Sequence, residues 1–266
     1  MDALRIMGVL NVTPDSFSDG GKYDAPDKAL EWALRLQMDG ADLIDVGGES
    51  TRPGAAEVPL AEELERVMPV VKRLLQKIPG HQLSVDSRKD VVFERVLTEG
   101  VRFFNRVGNP PEASLLQEIA TAGGSVAVTH IHGTPADMQQ APLGPGEAVR
   151  AVESFFDTAA RKFEKAGLHP GSYWLDPGIG FGKTVAANLE LLGQIKGWSQ
   201  RWPLMVGVSR KGFIGRIFGI DQPVERDGPG KVIEWMCAVS GAGLIRTHDV
   251  RGLAALRDTT KTATTG

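Results

Sequence analysis

The sequence predicts a single-domain (β/α)8 barrel, and three observations carry that expectation. First, short apolar runs end one after another in polar or glycine-rich residues. Ile6–Leu10 leads into Asn11, Leu43–Val46 into Gly47-Gly48-Glu49-Ser50-Thr51-Arg52, and Leu83–Val85 into Asp86-Ser87. Val101–Phe104 leads into Asn105-Arg106, Tyr173–Leu175 into Asp176-Pro177-Gly178, Leu204–Val208 into Ser209-Arg210-Lys211, and Leu244–Ile245 into Arg246-Thr247-His248. Second, helical periodicity separates these runs, giving strand-then-helix units in strict alternation, the pattern of a parallel sheet with crossover helices. Third, the length of 266 residues matches the roughly 250 such a barrel needs. A doubly wound open sheet would gather its ligand loops at one switch point. Here chemistry-bearing loops follow nearly every strand, which closure explains better.

The elements follow in order. A strand at Leu4–Leu10 precedes a helix at Asp27–Met38, whose Ala29, Leu30, Ala33 and Leu34 recur at helical spacing. The strand Asp42–Val46 precedes a helix over Leu60–Ile78, with Pro59 just before it, where proline is tolerated. Gln82–Val85 is paired with the helix Asp90–Leu97, and Arg102–Phe104 with the helix Glu112–Ala122, which Gly123-Gly124 closes. Ser125–Thr129 opens into a long Gly- and Pro-containing loop, His130–Gly146, before the helix Glu147–Ala166. The last three units are Ser172–Leu175 with Asn188–Ile195, Leu204–Val208 with Val232–Ser240, and Gly243–Ile245 with Val250–Lys261. The barrel is expected over 1–262, with a frayed tail at 263–266. Ser87 and Asn109 read as helix caps.

Composition excludes several classes. Apolar content of 42% and charged content of 24% suit a water-soluble globular protein. A net charge of −3 argues against non-specific nucleic-acid binding. No stretch is long and apolar enough to cross a membrane, and the start reads as a strand rather than a leader. The single cysteine, Cys237, reads as a small core residue, and one thiol without an internal partner fits the cytosol.

The strand ends carry the chemistry. Asp86, Asn105 and Asp176 would converge on the barrel mouth, where carboxylates accept paired N–H groups from an amino-substituted heterocycle. A capping role is weak for Asp176, because Pro177 and a glycine run follow it rather than a helix. Ser209-Arg210-Lys211 and Arg246-Thr247-His248 put cations at the ends of strands seven and eight, where barrels bind phosphate. Asn11, on the neighbouring strand, could share that anion or its metal. The segment from Gly178 to Thr184 is not a nucleoside-triphosphate loop, because the first required glycine falls on Pro177. His130 and His132 lack the further ligands of a zinc site, and no Gly-x-Ser-x-Gly elbow occurs. The loops around Asp15-Ser16-Phe17 and Thr51-Arg52-Pro53 look able to close over a ligand.

The chain resembles the dihydropteroate synthase family over nearly its whole length. The resemblance rests on IMGVLNVTPDSFSDGG (6–21), IDVGGESTRPGA (44–55), SVDS (84–87), HIHGTPADMQ (130–139), LDPGIGFGK (175–183), SRKGFIG (209–215) and IRTHDV (245–250). It implies a cytoplasmic, homodimeric, Mg2+-assisted transferase that joins dihydropterin pyrophosphate to 4-aminobenzoate and is a sulfonamide target. Asp86, Asn105, Asp176, Phe181 and Lys211 would bind the pterin. Asn11, Arg246 and His248 would bind the pyrophosphate, with Mg2+ near Asn11. Phe17, Thr51, Arg52, Pro53 and Ser209 would frame the aminobenzoate, and Asp15, Phe17, Asp19 and Lys211 would act in catalysis. Arg106, Thr129, His132 and Gly212 depart from the family pattern and motivate a second reading, a non-catalytic or weakly active pterin-binding paralogue. A third, a pterin-dependent methyltransferase barrel, should lack the Ser-Arg-Lys and Thr-Arg-Pro elements.

Overall fold

The computed structural model describes residues 4–12 and 25–264. Asp15, Phe17 and Asp19, expected in the first closing loop, lie outside the described residues. Among the described residues the chain alternates β1 (Arg5–Asn11), α1 (Ala25–Met38), β2 (Leu43–Gly47), α2 (Leu60–Leu75), β3 (Leu83–Asp86), α3 (Asp90–Glu99), β4 (Phe103–Val107) and α4 (Ala113–Thr121). It continues through β5 (Ser125–Thr129), α5 (Glu147–Lys165), β6 (Tyr173–Asp176), α6 (Val185–Trp198), β7 (Met205–Val206), α7 (Gly212–Phe218), α8 (Asp227–Val239), β8 (Leu244–Thr247) and α9 (Val250–Thr264).

All eight strands run parallel, in the order β6-β5-β4-β3-β2-β1-β8-β7. The barrel closes between β6 and β7 through one bridge, Leu175 with Leu204, where the Leu175 N–H donates to Pro203 O at 2.9 Å. Strand alternation sorts the side chains. Those facing out, among them Ile44, Val85, Phe104, Val126, Leu175 and Ile245, pack against the helices. Those facing in begin with an apolar floor of Met7, Leu43, Phe103, Ala127, Trp174, Met205 and Leu244. One step further along the same strands come Asp45, Asn105, Asp176 and Arg246. The floor keeps water from entering beneath that polar layer.

Several boundaries differ from the sequence expectation for local reasons. Helix α6 begins three residues early because the Thr184 hydroxyl accepts the Ala187 N–H at 3.2 Å, a side-chain cap. Helix α2 passes through Pro69 and stops at Leu75 rather than Ile78. Helix α9 runs on to Thr264, past the expected start of the tail. Helix α7 was not expected, because glycines at 212 and 215 weaken its helical signal. Ser87 and Asn109 do not cap helices: Lys89 and Glu112 hold those positions without side-chain caps, and Ser87 Oγ instead accepts the Lys89 N–H in a turn.

Phe103 is the bulkiest member of the floor after Trp174 and is 1% exposed. Phe103→Ala should cost about 3–5 kcal/mol, the loss for emptying a fully packed aromatic site. Urea unfolding measures this; a loss below about 1 kcal/mol would mean the floor is not a packed layer.

Candidate active site

The polar layer is organised by Asp45, whose side chain is fully buried. One oxygen, Oδ1, accepts from Ser84 Oγ at 2.5 Å; the other, Oδ2, accepts from Asn105 Nδ2 at 2.9 Å and Arg246 Nε at 2.7 Å. A carboxylate can only accept, so Asn105 must turn its NH2 toward Asp45 and its Oδ1 away. That Oδ1 is buried and has no hydrogen-bond partner among the described residues. Arg246 also donates from Nη2 to Asp86 Oδ2 at 3.1 Å. Burial pushes the Asp86 carboxyl up, Arg246 pulls it back, and Asp45, Glu63 and Glu49 add to the rise.

Across the cavity, Asp176 Oδ1 accepts the Gly178 N–H at 2.7 Å. Burial raises its carboxyl, against the pull of Lys211 and two backbone N–H groups. Lys211 reaches in from the end of β7, donates to Ile179 O, and holds its ammonium 4.2 Å from the centre of the Phe181 ring. Burial pulls Lys211 down to about 8, with Asp176 opposing and Arg246 assisting. Asp86, Asn105, Thr129, Asp176, Phe181, Ser209, Lys211, Arg246, His248 and Thr51 all line this one cavity. The sequence-predicted pterin residues are therefore brought together.

The expected pyrophosphate group is distributed differently. His248 borders both the cavity and a second recess that Asn11 shares with Lys28, Arg35 and Arg210. Arg246 is not a free cation, since Asp45 takes its Nε and Asp86 its Nη2, while Nη1 makes no hydrogen bond among the described residues. Arg210, expected in the same anion site, borders that recess but commits its Nε and Nη2 to Asp227. His248 is held by Ser209, whose Oγ accepts the His248 N–H at 3.1 Å and meets Nδ1 at 3.0 Å. Burial, then Arg246, Arg210 and Arg52, push its imidazole down to about 3. In the ligand-free protein burial and these neighbours favour its neutral, hydrogen-bonding form.

The loop after β2 leans over the mouth. Its Gly54 N–H donates to Pro135 O of the loop after β5 at 2.8 Å. Thr51 faces the cavity, while Arg52 and Pro53 remain exposed. The base of this loop is fixed by Lys89, which ion-pairs with Glu49 and, at 2.7 Å, with the fully buried Glu63. The loops after β5 and β6 are pressed together. A Cβ on Gly178 would lie 1.8 Å from His130 O, and one on Gly182 2.3 Å from His132 O. Buried Lys183 ties them by donating to Gly178 O and Phe181 O at 2.9 Å and to His130 O at 3.4 Å. His130 is buried against Phe155 and neutral, pushed down to about 3 chiefly by burial, while His132 is exposed.

The four departures can now be placed. Arg106 sits at the intervening position of β4, points outward, and pairs with Asp90. Thr129 lines the cavity. His132 and Gly212 lie exposed at the surface. Asp45 is the residue that sequence reasoning missed. Its signal was a lone acid at an inward-facing position of a strand otherwise buried on both sides.

The barrel presents these buried acceptors around one cavity at its mouth, and residues 7–248 match the family described as pterin binding enzyme, which sets the class of the protein. Within it, the chain is 39% identical over 248 residues to the dihydropteroate synthase of Escherichia coli strain K12, covering 93% of this chain and 87% of that protein. It is 36% identical over 252 residues to that of Bacillus subtilis strain 168, covering 94% and 85%. The dihydropteroate synthase of Yersinia pestis, solved with a sulfonamide drug complex, superposes with a TM-score of 0.87 at 37% identity, covering 99% of this chain and 95% of that one. That of Xanthomonas albilineans, solved with 4-aminobenzoic acid, superposes with a TM-score of 0.87 at 36% identity, covering 99% and 94%. The chain belongs to the dihydropteroate synthase family, transferases of folate biosynthesis that move an alkyl group larger than methyl.

Replacing Asp45 by Asn would set an amide N–H against donors from Ser84, Asn105 or Arg246. Asp45→Asn should cost about 3–5 kcal/mol, as when one partner of a buried ion pair is removed. Thermal or denaturant unfolding measures it; a stability equal to that of the unaltered protein would refute Asp45 as the organising group.

Proposed function

We propose that this chain joins 6-hydroxymethyl-7,8-dihydropterin diphosphate to 4-aminobenzoate, giving 7,8-dihydropteroate and pyrophosphate, with the cavity residues in the following roles. The observation that carries the assignment is the fixed orientation of Asn105, which lines the cavity and whose buried Oδ1 has no hydrogen-bond partner among the described residues. With Asp86 and Asp176 it makes a row of acceptors matched to the N–H edge of a dihydropterin. Lys211 supplies the donor for the ring's acceptor atoms, and Phe181 sits under its ammonium.

In the reaction the bond from the exocyclic methylene carbon to the diphosphate oxygen breaks, and its electron pair leaves with pyrophosphate. The arylamine nitrogen forms the new C–N bond and loses a proton. Arg246 Nη1, His248 and Asn11 would face the leaving group, and donors aimed at its growing charge lower the barrier. Thr51, Arg52, Pro53 and Ser209 would frame the aminobenzoate, and closure of the loop after β2 would keep water from the electrophilic carbon. Asp15, Phe17 and Asp19 would contribute from the first loop.

A Mg2+ ion fits this donor set only as a companion of the diphosphate. Among the described residues no cluster of three His, Cys, Asp or Glu could hold a cation. Asn11 would add one oxygen to those of the substrate and water, the mode such an ion favours. When bound it would supply positive charge to the leaving group.

Helix α8 presents Val232, Met236 and Val239, which are 60%, 60% and 52% exposed, along one face. A continuous apolar stripe of this kind marks an association surface, and a second copy of the chain would cover it, making a homodimer. No helix of the described residues is long and apolar enough to cross a membrane. With the only cysteine buried, the cytosol is the compartment this reading favours.

Three measurements test these readings. Pyrophosphate release from the two substrates should be observed and blocked competitively by a sulfonamide. Asp176→Asn should raise the pterin dissociation constant about tenfold or more, because an amide N–H would face an N–H across a buried contact. Unchanged pterin affinity in a folded variant would mean that Asp176 does not hold the ring. In sedimentation, the protein should run as a dimer and the Val232→Glu/Met236→Glu variant as a monomer; a monomeric unaltered protein would remove the dimer proposal.

A further inference from the structure

The turn that carries Ser209 and Lys211 into the cavity has the wrong residue for its geometry. The Lys211 N–H returns to Val208 O at 3.2 Å, so residues 208–211 form a four-residue turn. Its third residue, Arg210, has φ of 60°, and it is the only non-glycine among the described residues with positive φ. Glycine or asparagine is the usual occupant of such a position, because a Cβ there crowds the backbone. The arginine is held at both its ends. Its guanidinium makes a two-pronged pair with Asp227, Nε to Oδ1 at 2.8 Å and Nη2 to Oδ2 at 2.8 Å. Its carbonyl accepts from Arg226 Nη1 at 3.0 Å, and Arg226 is itself fixed by donating from Nε to Ile220 O at 3.1 Å. Arg226 presses so closely on α7 that a Cβ on Gly215 would meet its Nε at 2.7 Å.

We infer that Asp227 and Arg226 are positioning residues that hold the disfavoured turn at Arg210, and so aim Lys211 and Ser209 into the cavity. Neither acid nor base lines that cavity. They act from the start of α8, outside the barrel, on the backbone between the Ser209 hydroxyl that holds His248 and the ammonium that covers Phe181. A two-pronged arginine–carboxylate pair has the directional rigidity for this task. A glycine at 210 would make the turn easily and need no clamp. With arginine the turn is stable only while its side chain is anchored, so the geometry of Lys211 depends on the α8 terminus. The inference rests on the reading of Lys211 as a pterin ligand.

The test compares alanine with glycine at 210. Alanine removes the Asp227 anchor and keeps the strain; glycine removes both, and either keeps the carbonyl that accepts from Arg226. Pterin binding would be followed by calorimetry, and the KM for dihydropterin diphosphate and kcat by steady-state kinetics. Arg210→Ala and Asp227→Asn should each raise the pterin dissociation constant about tenfold, since displacing a ligand side chain by a fraction of an ångström has effects of this order. Arg210→Gly should recover most of the binding lost in Arg210→Ala, and Asp227→Asn should add nothing further in the Arg210→Gly background. If Arg210 instead touched the ligand through its guanidinium, glycine and alanine would be equally damaging, and Asp227→Asn would leave binding intact. Either result overturns the inference. A Lys211→Ala variant that binds pterin normally would overturn the pocket assignment itself, and is told apart from the first failure by that one measurement.

Discussion

The geometry of the site depends on one buried carboxylate. Asp45 gathers three donors from β3, β4 and β8, so it sets the distance between strands and the direction of their polar groups at once. Such a group is costly to bury alone, and its charge is tolerable because Arg246 is brought against it. Arg246 is in turn positioned by Asp45 and Asp86 before any ligand arrives. The orientation of the Asn105 amide and the direction of the arginine fork follow from where Asp45 stands.

The remaining charges show the same economy. Asp86 and Asp176 line the cavity and Asp45 is bonded to two of its lining residues, Asn105 and Arg246; Arg246 and Lys211 answer these acids, with His248 kept neutral by burial and its cationic neighbours. A ligand that brings N–H groups to the acids and negative charge to the cationic side meets complementary partners on both. The apolar floor beneath excludes water, and low polarisability there strengthens every one of these interactions.

Much of this was legible in the chain. Polar residues that close apolar runs, such as Asp86, Asn105, Asp176 and Arg246, announced both the barrel and its mouth, because parallel strands carry their ends to one side. Asp45 was not legible because it sits inside the run Leu43–Val46, where the apolar neighbours that face the helices mask an inward-facing acid. The outward direction of Arg106 follows from strand alternation but needed the register of β4 to be known. Helix α7 escaped because its glycines lower helical periodicity, and the partners of Arg210 escaped because Asp227 lies 17 residues away across an unexpected helix. Contacts between distant loops, such as Gly54 with Pro135, leave no local trace in sequence at all.

The barrel seam gives the site a further property. Strands β6 and β7 meet through a single bridge, Leu175 with Leu204, while every other neighbouring pair has a longer ladder or a second register point. Asp176 stands on one lip of that seam and Lys211 follows from the other. A heterocycle gripped by both would work as a keystone, adding across the gap the connections that the backbone leaves out. The backbone ladder is shortest at this point, and the Asp176 carboxylate already reinforces it by taking the Gly207 N–H from the far side, so the group proposed to hold the ring also helps to close the cylinder.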